Sequence, residues 1–335
     1  MVFMRIAIVK LSALGDIVHA MVVLQFIKQF NQDIVIDWVV EKNYQELLDL
    51  NPDINNVHIV NLKKAKRNFS LNLLLKDFWK LHQLEFYDLV IDMQGLVKSA
   101  IISRIIPSKA TLGFDKVSAK EGHGSFLYSK TFNMSYEENV VKRNFEIIKF
   151  ALDLPTNFCD LRNKTPFLFS DEKFNKSHLS LSKKNILLIP GASHASKQYP
   201  VARFVKLTQM LDAHFIIIWG SKLEKTLADE IALHSPNSHI SEWLSLNELV
   251  NLCSKVDLVI GGDTGPTHLA WAMNIPSITL FGPTSGNRNT IASDKNLIIE
   301  SESYVNSHSI NKKDFSINEI EATDVFEAAR NLLSR

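Results

Sequence analysis

Two short stretches of the chain hold most of the residue types that could do chemistry. The first is Lys10-Leu-Ser-Ala-Leu-Gly15-Asp16, which follows an apolar run. The second is Gly261-Gly-Asp-Thr-Gly-Pro-Thr-His268, where paired glycines precede an acid, a proline and a histidine. Glycines at the end of a strand leave backbone N–H groups open to an anion, and a following helix adds the positive end of its dipole. A diphosphate is the natural ligand for such a turn; the alternative is a strand-to-helix turn built for packing alone. A carboxylate beside a diphosphate is repelled, so Asp263 is expected to point to a sugar hydroxyl or to local N–H groups. His268 reads as a phosphate donor or as an ordinary helix residue. In the first stretch, Gly15 permits close backbone approach and Asp16 sits where a helix begins. Asp16 reads as a helix N-cap or as a general base. The two roles are compatible, because a helix N-terminus favours the ionised acid. The first stretch is neither the dinucleotide fingerprint nor the P-loop, since both spacings are absent from it.

Further stretches complete this set. Pro190-Gly-Ala-Ser-His194 leads into Ser196-Lys-Gln-Tyr-Pro200, where Lys197 either neutralises a phosphate or is simply solvated. In Trp219-Gly-Ser-Lys-Leu-Glu224 an acid is placed to bind ribose hydroxyls, as acids do in nucleotide sites of this design. Phe281-Gly-Pro-Thr284 is expected to wall the same pocket. Lys63, Lys64, Lys66 and Arg67 form a basic run, joined by Lys98, Lys116 and Lys120. Such residues form a solvated face or meet an anionic substrate. Interleaved Phe69 and Leu71 would let the same face touch a membrane surface.

These residues need rigid elements behind them. Apolar, β-branched runs at 5–9, 35–40, 57–60, 89–93 and 110–113 alternate with helical patterns such as 17–30 and 71–84. Runs at 186–190, 215–219, 258–261 and 277–281 repeat the theme, with a helix expected over 267–273. Continuous apolar strands followed by helices imply parallel sheets covered on both faces, and two such series imply two doubly wound domains. Segment 163–184, rich in Ser, Lys, Asn and Asp, reads as the linker, with one short strand at 166–169. The domains are therefore placed at 1–170 and 171–315, and 316–335 reads as a helix packing back on the body. Its start matches a capping box formed by Ser316 and Glu319.

The bulk numbers agree. A chain of 335 residues fits two domains, and 46% hydrophobic with 22% charged residues is a globular composition. A net charge of +1 argues against a general nucleic-acid binder. Cys159 and Cys253 belong to no ligand cluster, so neither a disulfide framework nor a zinc site is expected, and the default compartment is reducing. No carboxylate cluster suggests a metal. The first apolar run is too short for a signal peptide, and no stretch reaches the roughly 20 apolar residues that span a bilayer. A cytoplasmic protein, at most resting on a membrane surface, is expected.

Together, Ile8-Val-Lys-Leu-Ser-Ala-Leu-Gly-Asp-Ile-Val-His19, Val90-Ile-Asp-Met-Gln-Gly-Leu-Val-Lys-Ser99, Lys197-Gln-Tyr-Pro200 and Gly262-Asp-Thr-Gly-Pro-Thr-His-Leu269 resemble the lipopolysaccharide heptosyltransferases, glycosyltransferase family 9. The resemblance covers nearly the whole chain. Trp38-Val-Val-Glu41 and Gln94-Gly-Leu-Val-Lys-Ser99 are most similar to the heptosyltransferase I branch. The resemblance implies an α/β GT-B fold, two Rossmann-like doubly wound domains facing a central cleft. It implies inverting transfer of L-glycero-D-manno-heptose from ADP-heptose to the Kdo residue of Kdo-lipid A, without a cofactor. It places the general base at Asp16, phosphate contacts at Lys197, Thr264, Gly265 and Pro266 with His268 beside them, heptose contacts at Asp263 and a ribose contact at Glu224. Acceptor contacts are expected at Ser12, Gly15, Lys64, Arg67, Gln94, Lys98 and Lys120. Segment 285–289, with Arg288, departs from the family pattern. A monomer in peripheral contact with the cytoplasmic face of the inner membrane is expected, with no nucleic-acid partner. The alternatives are heptosyltransferase II or another member with a different acceptor, a non-hydrolysing nucleotide-sugar epimerase on the same plan, and a non-catalytic binding module, against which Asp16 and Lys197 speak.

Overall fold

The structure, a computed structural model, describes residues 4–171 and 178–335. Residues 1–3, the start of the first apolar run, and 172–177, the middle of the expected linker, lie outside the described residues. The chain divides into two units, Met1–Phe167 and Leu168–Arg335.

Unit 1 runs β1 (Arg5–Val9), α1 (Leu14–Met21), α2 (Val23–Phe30), β2 (Val35–Glu41), β3 (Asn56–Val60), α3 (Leu62–Arg67), α4 (Leu71–His82), β4 (Leu89–Asp92), α5 (Val97–Ile105), β5 (Thr111–Phe114), β6 (Lys130–Phe132) and α6 (Val140–Leu152). Its sheet has the order β3-β2-β1-β4-β5-β6 and every pairing is parallel. The central strands read as unbroken apolar runs because helices cover both faces. Ala7, Val9, Val39 and Val90 pack with Leu81 of α4 and Ile102 of α5. Elsewhere in the unit α1 and α2 pack on α6, with Phe26 and Phe145 edge to face at 5.6 Å.

Unit 2 runs β7 (Asn185–Ile189), α7 (Val201–Met210), β8 (His214–Ile217), α8 (Lys222–Leu233), β9 (Ser238–Ile240), α9 (Leu246–Cys253), β10 (Leu258–Gly262), α10 (Gly265–Ala272), β11 (Ser277–Phe281), α11 (Gly286–Asn289), β12 (Asn296–Glu300) and α12 (Ala322–Leu333). The parallel sheet has the order β12-β11-β10-β7-β8-β9. α12 lies against α7: Val325, Ala329 and Leu332 share a core with Phe204 and Leu207, and Arg203 forms a two-pronged ion pair with Glu321.

Several expectations need correction. The helix read over 17–30 begins at Leu14 and is two helices, separated at Val22. Met21, Val22 and Val23 are all fully buried, so the apolar pattern runs through the break without marking it. No strand forms at 166–169; Phe167 and Leu168 are buried in irregular chain, and Asn51 Nδ2 donates to the Phe167 carbonyl at 3.0 Å. Ser316 opens a single 3-10 turn, Ser316–Glu319, rather than a long helix; extended backbone at Ile320 ends it before α12 starts.

In each unit the strand order reverses once, beside the first strand. Loops at the carboxyl ends of strands flanking such a switch point are the ligand-binding places of open α/β sheets. In unit 1 these are the loops after β1 and β4, and in unit 2 those after β7 and β10.

Candidate active site

In unit 1 the loop after β4 fixes the loop after β1. Lys10 is buried and its Nζ donates to the Met93 carbonyl at 2.7 Å. The Gln94 Oε1 accepts from the amides of Leu11 and Ser12 at 2.9 and 3.1 Å. Gln94 is held in turn by Asp92, whose Oδ1 accepts from the amides of Gln94 and Gly95 at 2.7 and 3.2 Å. Asp92 Oδ2 accepts from the Tyr128 hydroxyl at 2.7 Å. Burial pushes the Asp92 carboxyl up, against the pull of these bonds. Gly95 takes a φ of +69°, a left-handed conformation that a side chain would strain.

Asp16 is the third residue of α1 and not its N-cap, which is Ala13. Its Oδ2 reaches back to accept from the Ala13 amide at 3.0 Å. One oxygen thus closes the first helical turn, as the third residue of a capping box does, and Oδ1 is left for other work. Gly15 lies in the same turn. His19 is buried, in keeping with a packing role.

Two acids that were not among the expected site residues place the basic run. Glu41 ends β2; its amide donates to the Leu11 carbonyl at 3.2 Å, and its carboxylate accepts from the Lys63 amide at 3.1 Å. Asp77 of α4 accepts from the Asn61 amide at 2.6 Å. Both acids are buried and together they hold the start of α3, which carries Lys64 and Arg67. Burial pushes the Glu41 carboxyl up, opposed by the Lys63 amide and by the charge of Lys98. Glu121 accepts from the Val97 amide at 2.9 Å and so fixes the start of α5, which bears Lys98; Lys120 is its exposed neighbour. Gln94 thus holds the Leu11–Ser12 backbone one turn before Gly15, Glu41 joins that loop to the start of α3 with Lys64 and Arg67, and Glu121 joins the start of α5 with Lys98 to the segment of Lys120.

In unit 2 the centre is Asp263, directly after β10. Its Oδ2 lies 2.7 Å from Lys197 Nζ and accepts from Thr284 Oγ1 at 2.8 Å and Asn289 Nδ2 at 3.2 Å. Its Oδ1 lies 3.1 Å from His268 Nε2. Burial alone would push this carboxyl up, but the Lys197 ammonium and the His268 bond outweigh it and hold the acid well below the usual carboxylate range. Asp263 turns to side chains and not to local amides. His268 is bonded to Asp263 through Nε2. Lys197 is only 8% exposed, so of its two readings that of a solvated loop lysine is set aside.

Glycine makes this packing possible. A Cβ on Gly262 would stand 2.7 Å from the Lys197 carbonyl, so only glycine lets the Ala195–Lys197 turn lie against the end of β10. α10 starts one residue beyond Thr264, with Pro266 in its first turn, and Thr267 Oγ1 donates to the Gly262 carbonyl at 2.9 Å. The first amides of a helix have no partner within it and face an anion readily. Glu224, third in α8, accepts from the Gly220 amide at 2.7 Å, and its carboxyl packs against Gly191 of the loop after β7. Burial, together with Lys312 and Lys197, holds the His194 imidazole below its ordinary value, which marks a positive neighbourhood. Among the described residues no group of three or more His, Cys, Asp or Glu is placed to hold a metal, and no helix is long and apolar enough to cross a membrane.

Residues 78–318 match the sequence profile of glycosyltransferase family 9 (heptosyltransferase). The chain belongs to that family. Within glycosyltransferase family 9 it is 38% identical to lipopolysaccharide heptosyltransferase 1 of Campylobacter coli, over 98% of this chain and 99% of that protein. Its fold is that of E. coli heptosyltransferase WaaC with ADP-2-deoxy-2-fluoro heptose, at a TM-score of 0.78 and 22% identity over 98% of this chain and 99% of that one. The family 9 glycosyl transferase of Veillonella parvula matches at a TM-score of 0.82 and 18% identity, over 100% and 98% of the two chains. The two six-stranded parallel sheets are thus the Rossmann-like domains of a GT-B glycosyltransferase.

Proposed function

We propose that this family 9 enzyme transfers L-glycero-D-manno-heptose from ADP-heptose to the Kdo residue of Kdo-lipid A in lipopolysaccharide inner-core synthesis, with inversion at the anomeric carbon. The observation that carries the reading is a buried lysine, Lys197, beside the start of α10 at the switch point of unit 2. A preformed cation and a helix N-terminus suit a diphosphate leaving group. The backbone at Thr264, Gly265 and Pro266 cradles the phosphates, Glu224 binds the ribose, and Asp263 with His268 meets the heptose. Before the donor arrives, Lys197 is tied to Asp263. When Lys197 turns to phosphate, Thr284, Asn289 and His268 still supply Asp263 with donors.

Asp16 acts as general base. The acceptor oxygen bonds to the anomeric carbon as the bond to the diphosphate oxygen breaks; ADP leaves with the electron pair, and the acceptor proton goes to Asp16. Ser12, Gly15 and Gln94 shape the acceptor's seat, while Lys64, Arg67, Lys98 and Lys120 meet its carboxylates and phosphates. No step needs a metal or cofactor. A lipid-linked acceptor implies work at the cytoplasmic face of the inner membrane, in peripheral contact with it.

The test follows ADP release from ADP-heptose. Release that requires Kdo-lipid A supports the reading. Release only with an already heptosylated core assigns the chain to the next transfer, and release without acceptor overturns a transferase.

A further inference from the structure

Leu71, Leu75 and Trp79 follow one another at four-residue intervals along α4, so they form a single stripe. They are 72%, 62% and 66% exposed, and Phe69, just before the helix, is 94% exposed. The opposite side of α4 serves the fold: Leu81 enters the core and Asp77 caps α3. The stripe therefore lies outside the core of unit 1 and is mostly open.

Charge decides what covers it. Over residues 62–82 the cations are Lys63, Lys64, Lys66, Arg67, Lys76 and Lys80, and the acid is Asp77, which is buried. Lys76 and Lys80 each follow a stripe residue by one position, so they run as a parallel row beside it. A second copy of the chain on this face would bring like charges together. A large apolar stripe flanked by lysines is the pattern of a helix lying in a membrane interface.

We propose that α3 and α4 form a docking surface for an anionic lipid bilayer, with Phe69, Leu71, Leu75 and Trp79 at the headgroup–acyl boundary and the lysine row among the phosphates. Glu41 and Asp77 fix α3, so docking by α4 presents Lys64 and Arg67 at a set place beside the membrane. The purpose of the surface, delivery of a lipid-linked acceptor, rests on the function proposed above; its existence does not.

The experiment is flotation of the full chain with vesicles, without donor or acceptor. The chain is expected to float with phosphatidylglycerol–phosphatidylethanolamine vesicles and not with phosphatidylcholine. Leu75→Glu with Trp79→Glu should lower the partition on the order of a hundredfold, about a factor of ten for each large side chain withdrawn from an apolar phase. Lys76→Glu with Lys80→Glu should weaken flotation with the anionic vesicles. A blue shift of tryptophan emission on binding should vanish in Trp79→Ala. Thermal melting of these variants should match the parent, because the side chains are exposed. A parent chain that ignores anionic vesicles, or a Leu75→Glu/Trp79→Glu variant that floats as the parent does, overturns the proposal. So does a variant whose loss is of self-association instead of vesicle binding. Transfer to a soluble, deacylated acceptor should be unchanged in Leu75→Glu/Trp79→Glu; its absence from the parent would sink the proposed function and leave flotation untouched.

Discussion

Asp263→Asn removes one charge from a buried pair and leaves the shape almost intact. At the observed 2.7 Å and an effective dielectric near 20, the attraction to Lys197 is about 6 kcal/mol before solvation is counted. Breaking a buried pair while leaving one ion in place costs about 3–5 kcal/mol. Asparagine cannot recover this by rotating. Lys197, Thr284 and Asn289 all approach Oδ2 and His268 approaches Oδ1, so an amide NH2 must face a donor on one side or stand against the imidazole on the other. Unit 2 should therefore lose about 3–5 kcal/mol at pH 7. The loss should depend on pH with a definite sign. The folded-state pKa of Asp263 is depressed, so its contribution is fully present above the unfolded value, about 3.9. It declines by about 1.4 kcal/mol per pH unit as pH falls from there toward the folded value. Urea unfolding of both proteins at pH 7, 5 and 3 measures it, with Trp219 and Trp271 reporting on unit 2. The gap should be equal at pH 7 and 5 and smaller by about 1 kcal/mol at pH 3. A gap below about 1 kcal/mol at pH 7, or one unchanged at pH 3, refutes the reasoning.

Asp16→Asn should lower turnover by about a hundredfold to ten-thousandfold with little change in the donor's KM, followed as ADP release; near-normal turnover removes Asp16 from the base role. Gly262→Ala forces a Cβ to 2.7 Å from the Lys197 carbonyl. The turn must shift, so stability should fall by about 1–3 kcal/mol and ADP should bind more weakly, read by melting and by nucleotide titration. Lys64→Gln with Arg67→Gln should raise the acceptor's KM about tenfold or more and spare the donor's, and an unchanged acceptor KM would mark these residues as a solvated face.

The central strands of both sheets were legible in the sequence because they are buried on both faces and so read as continuous apolar runs. β6, β9 and β12 were not. All three are edge strands, and Lys130-Thr-Phe132 and Ser238-His-Ile240 are short and partly exposed, so pairing and not side-chain pattern makes them strands. The apolar run at 166–169 failed in the opposite way, since Phe167 and Leu168 are buried without a strand partner. The site divides similarly. The glycine-rich turns and their acids stand in local motifs. Their pairing does not: Lys197, Thr284 and Asn289 come from the segments after β7 and β11, and only the sheet order brings them to one carboxylate. Asn289 ends α11, and its side-chain amide donates to Asp263, which joins segment 285–289 to the candidate site. Glu41 carried a weak signal, an acid closing an apolar strand, which becomes meaningful once its bond to the start of α3 is seen.

The most direct test of the whole account is a crystal structure of the chain with ADP. The diphosphate should lie against the start of α10, within about 2.7–3.2 Å of the Thr264 and Gly265 amides and of Lys197 Nζ, with Asp263 still held by Thr284 and Asn289. Nucleotide bound away from that helix start, with Lys197 still paired to Asp263, would contradict it.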